Sequence, residues 1–154
     1  MKLHYHTAFS LTISGILYLF FKSWGLALGC LISGIFIDLD HIYDYLREHG
    51  RNISVRNFFR INNHAQYNRI VLFWHGWEWI VLWGISAWIS GWNPWISGVF
   101  IGLSQHMFLD VVSNRASLQS YSLIWRWKKK FEFDTIFHNL KGRKYSYKNI
   151  SSKK

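Results

Sequence analysis

The chain has 154 residues, enough for one domain. It is 50% hydrophobic and 19% aromatic, with ten Trp, yet its formal net charge is +10, so apolar and basic residues must be segregated along it. The single cysteine, Cys30, sits in an apolar run, which excludes a disulfide framework and a Cys-rich zinc finger, and the P-loop and dinucleotide fingerprints have no match.

In chain order, TAFSLTISGILYLFF (7–21) and WGLALGCLISGIFI (24–37) predict a helical hairpin turning at Lys22-Ser23. The opening Met-Lys resembles a signal peptide. However, His4 and His6 precede the apolar run and no small-x-small cleavage site follows it, so an uncleaved helix is expected. IVLFWHGWEWIVLWGISAWIS (70–90) is long enough to span a hydrocarbon layer, which takes about 20 residues. WISGVFIGLSQHMFLDVV (95–112) is the fourth candidate span, and its Gly98 and Gly102 form a small-x-x-x-small pair that permits close helix approach. The expected fold is all-α: a four-transmembrane-helix bundle in residues 1–130, with a basic cytoplasmic loop and a basic cytoplasmic tail at 131–154.

Lys and Arg are absent from 23–46 and 70–114. The 41–69 connection carries Arg47, Arg51, Arg56, Arg60 and Arg69, and the chain from Arg115 onward carries eleven Lys and Arg. The positive-inside rule places both segments and the N-terminus in the cytoplasm, with Trp88, Trp92 and Trp95 at the opposite interface. The Asn-x-Ser sequences at Asn52 and Asn149 then lie inside the cell, away from glycosylation. The 47–69 segment reads as an interfacial helix, its arginines either setting topology or holding a substrate phosphate. The tail reads as a surface for anionic head groups; membrane lipids are the expected partners, and no nucleic acid is expected.

The polar residues inside the apolar runs are the chemical signal. GIFIDLDHIYDYL (34–46) holds Asp38, Asp40, His41 and Asp44, and three of the chain's eight carboxylates fall in seven of these residues. On the expected topology His6 begins helix 1, Asp38, Asp40 and His41 end helix 2, His75 and Glu78 begin helix 3, and His106 and Asp110 end helix 4. All would meet at one depth. Asp38–His41 and His75–Glu78 are i,i+3 pairs and His106–Asp110 is i,i+4, so each pair shares a helix face. An ionisable group inside a membrane helix costs several kcal/mol and so faces a partner, a cavity or a metal. The expected metal ligands are His6, Asp38, Asp40, His41, His75, Glu78, His106 and Asp110, for one or two divalent ions. Zinc comes first, with manganese or iron as alternatives. Two such ions suit phosphoester hydrolysis, and a carboxylate not consumed as a ligand, Asp38 or Glu78, is the expected catalytic proton acceptor.

Gln105 and Asn114 are expected either to orient ligands or to link helices, and Asp44 either joins the cluster or pairs with Arg47. His64 is a lesser candidate in a polar loop. His49 and His138 read as surface residues.

The order of an N-terminal His, an apolar helix ending in Asp38-Leu39-Asp40-His41, a His near a second acid, and His106-x-x-x-Asp110 resembles the small bacterial membrane-bound metal-dependent hydrolases, which are similar to zinc-dependent phospholipase C. The resemblance covers roughly residues 1 to 130. Two features depart from the family pattern: the proline that often precedes the Asp-x-Asp-His motif is replaced by Ile37, and FWHGWEW stands where a second His is usual, leaving Glu78 as its replacement. The resemblance implies a hydrolase acting on a phospholipid or other phosphoester in the bacterial inner membrane. Two other function classes fit the same residues: a metal or proton transporter, whose polar path should continue toward the far side, and a non-enzymatic scaffold in which the polar pairs are helix glue.

Overall fold

Ser23 and Lys22 make the first turn. In the computed structural model, which describes residues 3–50, 54–63, 67–114 and 117–138, Lys22 adopts a positive φ of 51° and Ser23 caps the next helix, its hydroxyl accepting from the Leu26 amide at 3.3 Å. The hairpin so formed joins α1 (Leu3–Phe21) to α2 (Trp24–Phe36). α2 tightens into a 3₁₀ turn at Ile37–Leu39 and resumes as α3 (Asp40–His49), which stops at Gly50 with φ 79°. The remaining helices are α4 (Val55–Asn63), α5 (Trp77–Ile89), α6 (Pro94–Asn114), α7 (Leu123–Lys128) and α8 (Phe133–Ile136), with a 3₁₀ turn at Leu118–Tyr121. The described residues are all-α apart from one isolated antiparallel bridge, Arg69 to Glu132.

The continuous stretch Trp24–His49 and α6 are long and apolar enough to cross a membrane. α1 is apolar but shorter over its described residues, and α5 has only 13 residues, about 20 Å at 1.5 Å per residue. The expectation of a helix from residue 70 is corrected: 70–76 is irregular, and α5 begins only at Trp77. The cause lies on α3. The Asp44 carboxylate accepts from the amides of Val71 (3.0 Å) and Leu72 (2.9 Å), Asp40 accepts from Trp74, and Leu72 takes a positive φ of 45°. Those amides are satisfied by side chains, so the chain bends there instead of coiling.

α2 and α6 pack closely through glycines. A Cβ on Gly98 would approach the Leu26 carbonyl and lie 3.0 Å from the Cys30 nitrogen, and a Cβ on Gly102 would run into Ser33 and the Cys30 carbonyl. The pair read from the sequence is thus where the two backbones meet.

At one end the bundle closes over an apolar core that includes Tyr45, Tyr67, Ile70, Met107, Tyr121 and Phe133. Here the division at residue 130 is corrected. Phe133, Ile136 and Phe137 are buried in this core, and the Ile70 amide donates to the Phe131 carbonyl while the Phe133 amide donates to that of Asn68, both at 2.9 Å. Residues 117–138 are part of the fold, and 139–154 lie outside the described residues. The 47–69 segment is helical at Val55–Asn63: Ile61 is buried, Phe58 packs against Tyr45 at 5.6 Å between ring centres, and Arg56 and Arg60 are exposed. Arg51, Asn52, His64, Arg115, Asn149 and the basic run from 141 onward are outside the described residues.

Candidate metal centre

Six of the eight expected ligands come together. His6 reaches in from α1, Asp38 from the 3₁₀ turn, His41 from α3, His75 from the 70–76 bend, and His106 and Asp110 from one face of α6. Asp38 Oδ1 lies 3.4 Å from His106 Nε2, 3.6 Å from His75 Nε2 and 3.8 Å from His41 Nε2. Asp110 Oδ1 lies 3.2 Å from His6 Nε2, and its Oδ2 lies 3.6 and 3.7 Å from the Nε2 atoms of His106 and His75. The His6 and His106 rings stack at 3.9 Å. Potential ligand atoms of His6, His106 and Asp110 fall within 4.8 Å of one another, as do those of Asp38, His41 and His75. Each group can hold a metal ion, and Asp38 and Asp110 tie the two together.

The second nitrogens of two rings explain their orientation. His75 Nδ1 lies 3.2 Å from Asp40 Oδ2, and His106 Nδ1 lies 2.8 Å from the Gly34 carbonyl oxygen. A carbonyl only accepts, so His106 carries its proton on Nδ1, and the Asp40 carboxylate selects the same tautomer in His75. In the neutral rings both Nε2 atoms carry lone pairs, and both are buried with no hydrogen-bond partner. A buried polar atom left without a partner costs about 1–3 kcal/mol, and two aimed at the same pair of carboxylates fit a divalent cation. Charge points the same way: Asp38 and Asp110 turn two carboxylates toward the same imidazoles in a largely buried space.

Asp40 is therefore corrected from ligand to support, since its carboxylate serves the Trp74 amide and the His75 ring. Asp44, fully buried, holds the same bend through the Val71 and Leu72 amides and does not join the cluster. Asn114 donates to Asp110 Oδ1 at 3.2 Å and to the Tyr121 hydroxyl at 2.9 Å, so it orients a ligand. Gln105 donates to Ser10 Oγ at 2.8 Å and links α6 to α1. His49 and His138 are exposed.

Glu78 is not brought to the cluster, which corrects it as both ligand and proton acceptor. Its carboxylate accepts from the Ser122 hydroxyl (2.6 Å) and from the amides of Leu123 (2.9 Å) and Ile124 (3.1 Å). It caps the first turn of α7, where a negative charge meets unsatisfied amides. That cap sets up a residue the sequence did not single out. Arg126, on α7, is completely buried, and its Nη2 donates at 2.7 Å to the His75 carbonyl. Burial pulls its pKa down to about 10, opposed by the nearby charges of Glu78, Asp40 and Asp44, so it remains a cation at neutral pH. In the sequence it sits in WRWKKK, where nothing separates it from the exposed cations beside it.

The open side of the cluster is at Asp38 and His41, whose side chains are 18% and 28% exposed, while those of His6, His75, His106 and Asp110 are buried. No family model, curated protein or solved structure matches the chain.

Proposed function

We propose that the chain is an integral-membrane, metal-dependent hydrolase that cleaves a phosphoester at one membrane face. The observation that carries this reading is the pair of buried Nε2 atoms, on His75 and His106, held without hydrogen bonds against Asp38 and Asp110. His6, Asp38, His41, His75, His106 and Asp110 would hold one or two ions; the His-carboxylate donor set suits zinc first and manganese or iron next. A bound divalent ion supplies charge neutralisation at phosphorus and acidifies water.

The chain's own groups account for the rest. Asp110 and the stacked His6 and His106 rings form the closed wall, which excludes solvent. Asp38, the partly exposed carboxylate of the cluster, would share the two tasks between its oxygens: Oδ1, turned to the three imidazoles, would face the ion, and Oδ2 would take the proton. Water forms a bond to phosphorus, the ester P–O bond breaks, and the proton taken by Asp38 passes to the leaving alkoxide. Membrane insertion is supported by the two long apolar helical stretches and by large apolar side chains exposed along α1, α5 and α6, among them Leu19, Phe20, Ile89 and Phe108. The charge distribution favours a bacterial inner membrane with both termini cytoplasmic.

The 3.2 Å contact between His6 and Asp110 favours one competing reading, a scaffold in which protonated rings and carboxylates hold helices together without metal. Metal analysis by mass spectrometry on detergent-purified protein separates the two. Wild type should carry stoichiometric zinc, iron or manganese, and His106→Ala/Asp110→Ala should lose it while keeping its helical circular dichroism. Phosphodiester turnover should vanish with the metal. Wild type free of metal after supplementation, or a variant that keeps turnover, overturns the hydrolase reading.

A further inference from the structure

Beside the cluster runs a groove of about 680 Å³ that none of the roles above uses. Its walls come from α2, the 3₁₀ turn, α3, the 71–74 bend, α5 and α6, through residues such as Phe36, Leu39, Trp74, Trp83, Val99 and Leu103. The volume lies within the roughly 300–1,000 Å³ usual for small-molecule sites. We infer that this groove seats the hydrocarbon chain of a bilayer phospholipid and presents its head-group phosphoester to the cluster. The substrate assignment rests on the hydrolase reading; the seat for the chain does not.

Three observations select this occupant. First, the lining is mainly apolar, and its serine and its carboxylate are engaged elsewhere. The Ser33 hydroxyl donates to the Gly29 carbonyl at 2.7 Å, and Asp40 serves the Trp74 amide and His75. A polar ligand would find few partners there and would lose its own hydration, whereas hydrocarbon loses nothing. Second, the outer rim is apolar and open. Phe36, Leu39, Tyr43, Phe73 and Trp74 are 42–57% exposed, and α2 and α6, which both contribute to the lining, belong to the two stretches able to cross a membrane. The groove therefore opens onto the surface that would face lipid. Third, its inner wall is shared with the cluster. Asp40 lines the groove and supports His75, and Leu39 adjoins Asp38, the partly exposed carboxylate at the cluster's mouth.

A chain moving from bilayer to groove exchanges one apolar surrounding for another, so little hydrophobic energy is gained. The groove contributes orientation: a lipid held by its tail has its phosphoester confined beside the cluster, replacing an encounter by positioning.

The test uses the full-length protein in nanodiscs containing a phosphatidylcholine with a diazirine near its acyl terminus. After illumination, labelled positions are mapped by peptide mass spectrometry. Labelling is expected at Trp83 and Leu103 inside the groove, with and without a chelator. Val99→Trp, and separately Val71→Trp, should abolish it while labelling at the lipid-facing Phe20, Ile89 and Phe108 persists; that persistence and retained helicity report an intact, inserted protein. Groove labelling that both variants abolish, without phosphoester turnover, sustains the chain seat and removes the hydrolase reading. Labelling confined to lipid-facing positions, or groove labelling unchanged in both variants, overturns the seat whether or not a soluble phosphodiester is hydrolysed.

Discussion

Replacing Asp40 by Asn tests the division between ligands and supports. The carboxylate oxygen of Asp40 meets both the Trp74 amide and His75 Nδ1, while the ring's other nitrogen faces Asp38 and Asp110. Asparagine has nearly the same shape but a single accepting oxygen, and both donors meet the same oxygen of Asp40: with the amide oxygen in that place both bonds persist without the carboxylate's charge, and with the NH₂ there both are lost. Loss of such a support typically weakens metal affinity by about 10–100-fold, which corresponds to roughly 1.4–2.7 kcal/mol. Purified wild type and Asp40→Asn would be titrated with zinc against a chromogenic chelator, with Asp110→Ala as the ligand-loss control. An apparent Kd weakened within that range, with stoichiometry unchanged, is the expected result. Affinity equal to wild type would refute the claim that Asp40 orients His75. Loss of an ion as complete as in Asp110→Ala would refute its assignment as a support and restore it as a ligand.

Arg126→Met should lower the melting temperature and weaken zinc binding together, because the donor to the His75 carbonyl is lost; about 2 kcal/mol is expected for a charged hydrogen bond, and Arg126→Lys should restore less than half of it. Gly98→Leu should destabilise the protein by at least 1–3 kcal/mol, roughly the cost of overpacking, since its Cβ would lie 3.0 Å from the Cys30 nitrogen and 3.1 Å from the Gly29 Cα; a thermal melt in detergent reads this. Free zinc held 100-fold above its Kd should stabilise the folded chain by about 2.7 kcal/mol, with the gain absent in His106→Ala/Asp110→Ala. Glu78→Gln should lower stability through the α7 cap while leaving zinc stoichiometry unchanged; a lost ion would return Glu78 to the ligand set.

The sequence by itself determined the all-α class, the hairpin at Lys22-Ser23 and the close-packing face at Gly98 and Gly102, because these follow from periodicity and residue size within one segment; that α2 is the helix packed on that face, and that residues 70–76 bend, was decided by the tertiary structure. It also determined that His106 and Asp110 face the same way, one turn apart on α6. Which carboxylate does what was decided only by tertiary structure. Asp38, Asp40 and Asp44 lie on one short stretch and look interchangeable in the sequence. Asp38 turns to the imidazoles, Asp40 to a ring 35 positions away, and Asp44 to amides 27 and 28 positions away. A carboxylate takes the role of whichever donor packing brings to it, and spacing along one helix carries no information about donors on another. The same reason separates Glu78 from the cluster and Arg126 from its lysine neighbours. α7 folds back onto the start of α5, so an acid placed at helical spacing from His75 becomes a cap, and one cation of a basic run is drawn into the interior.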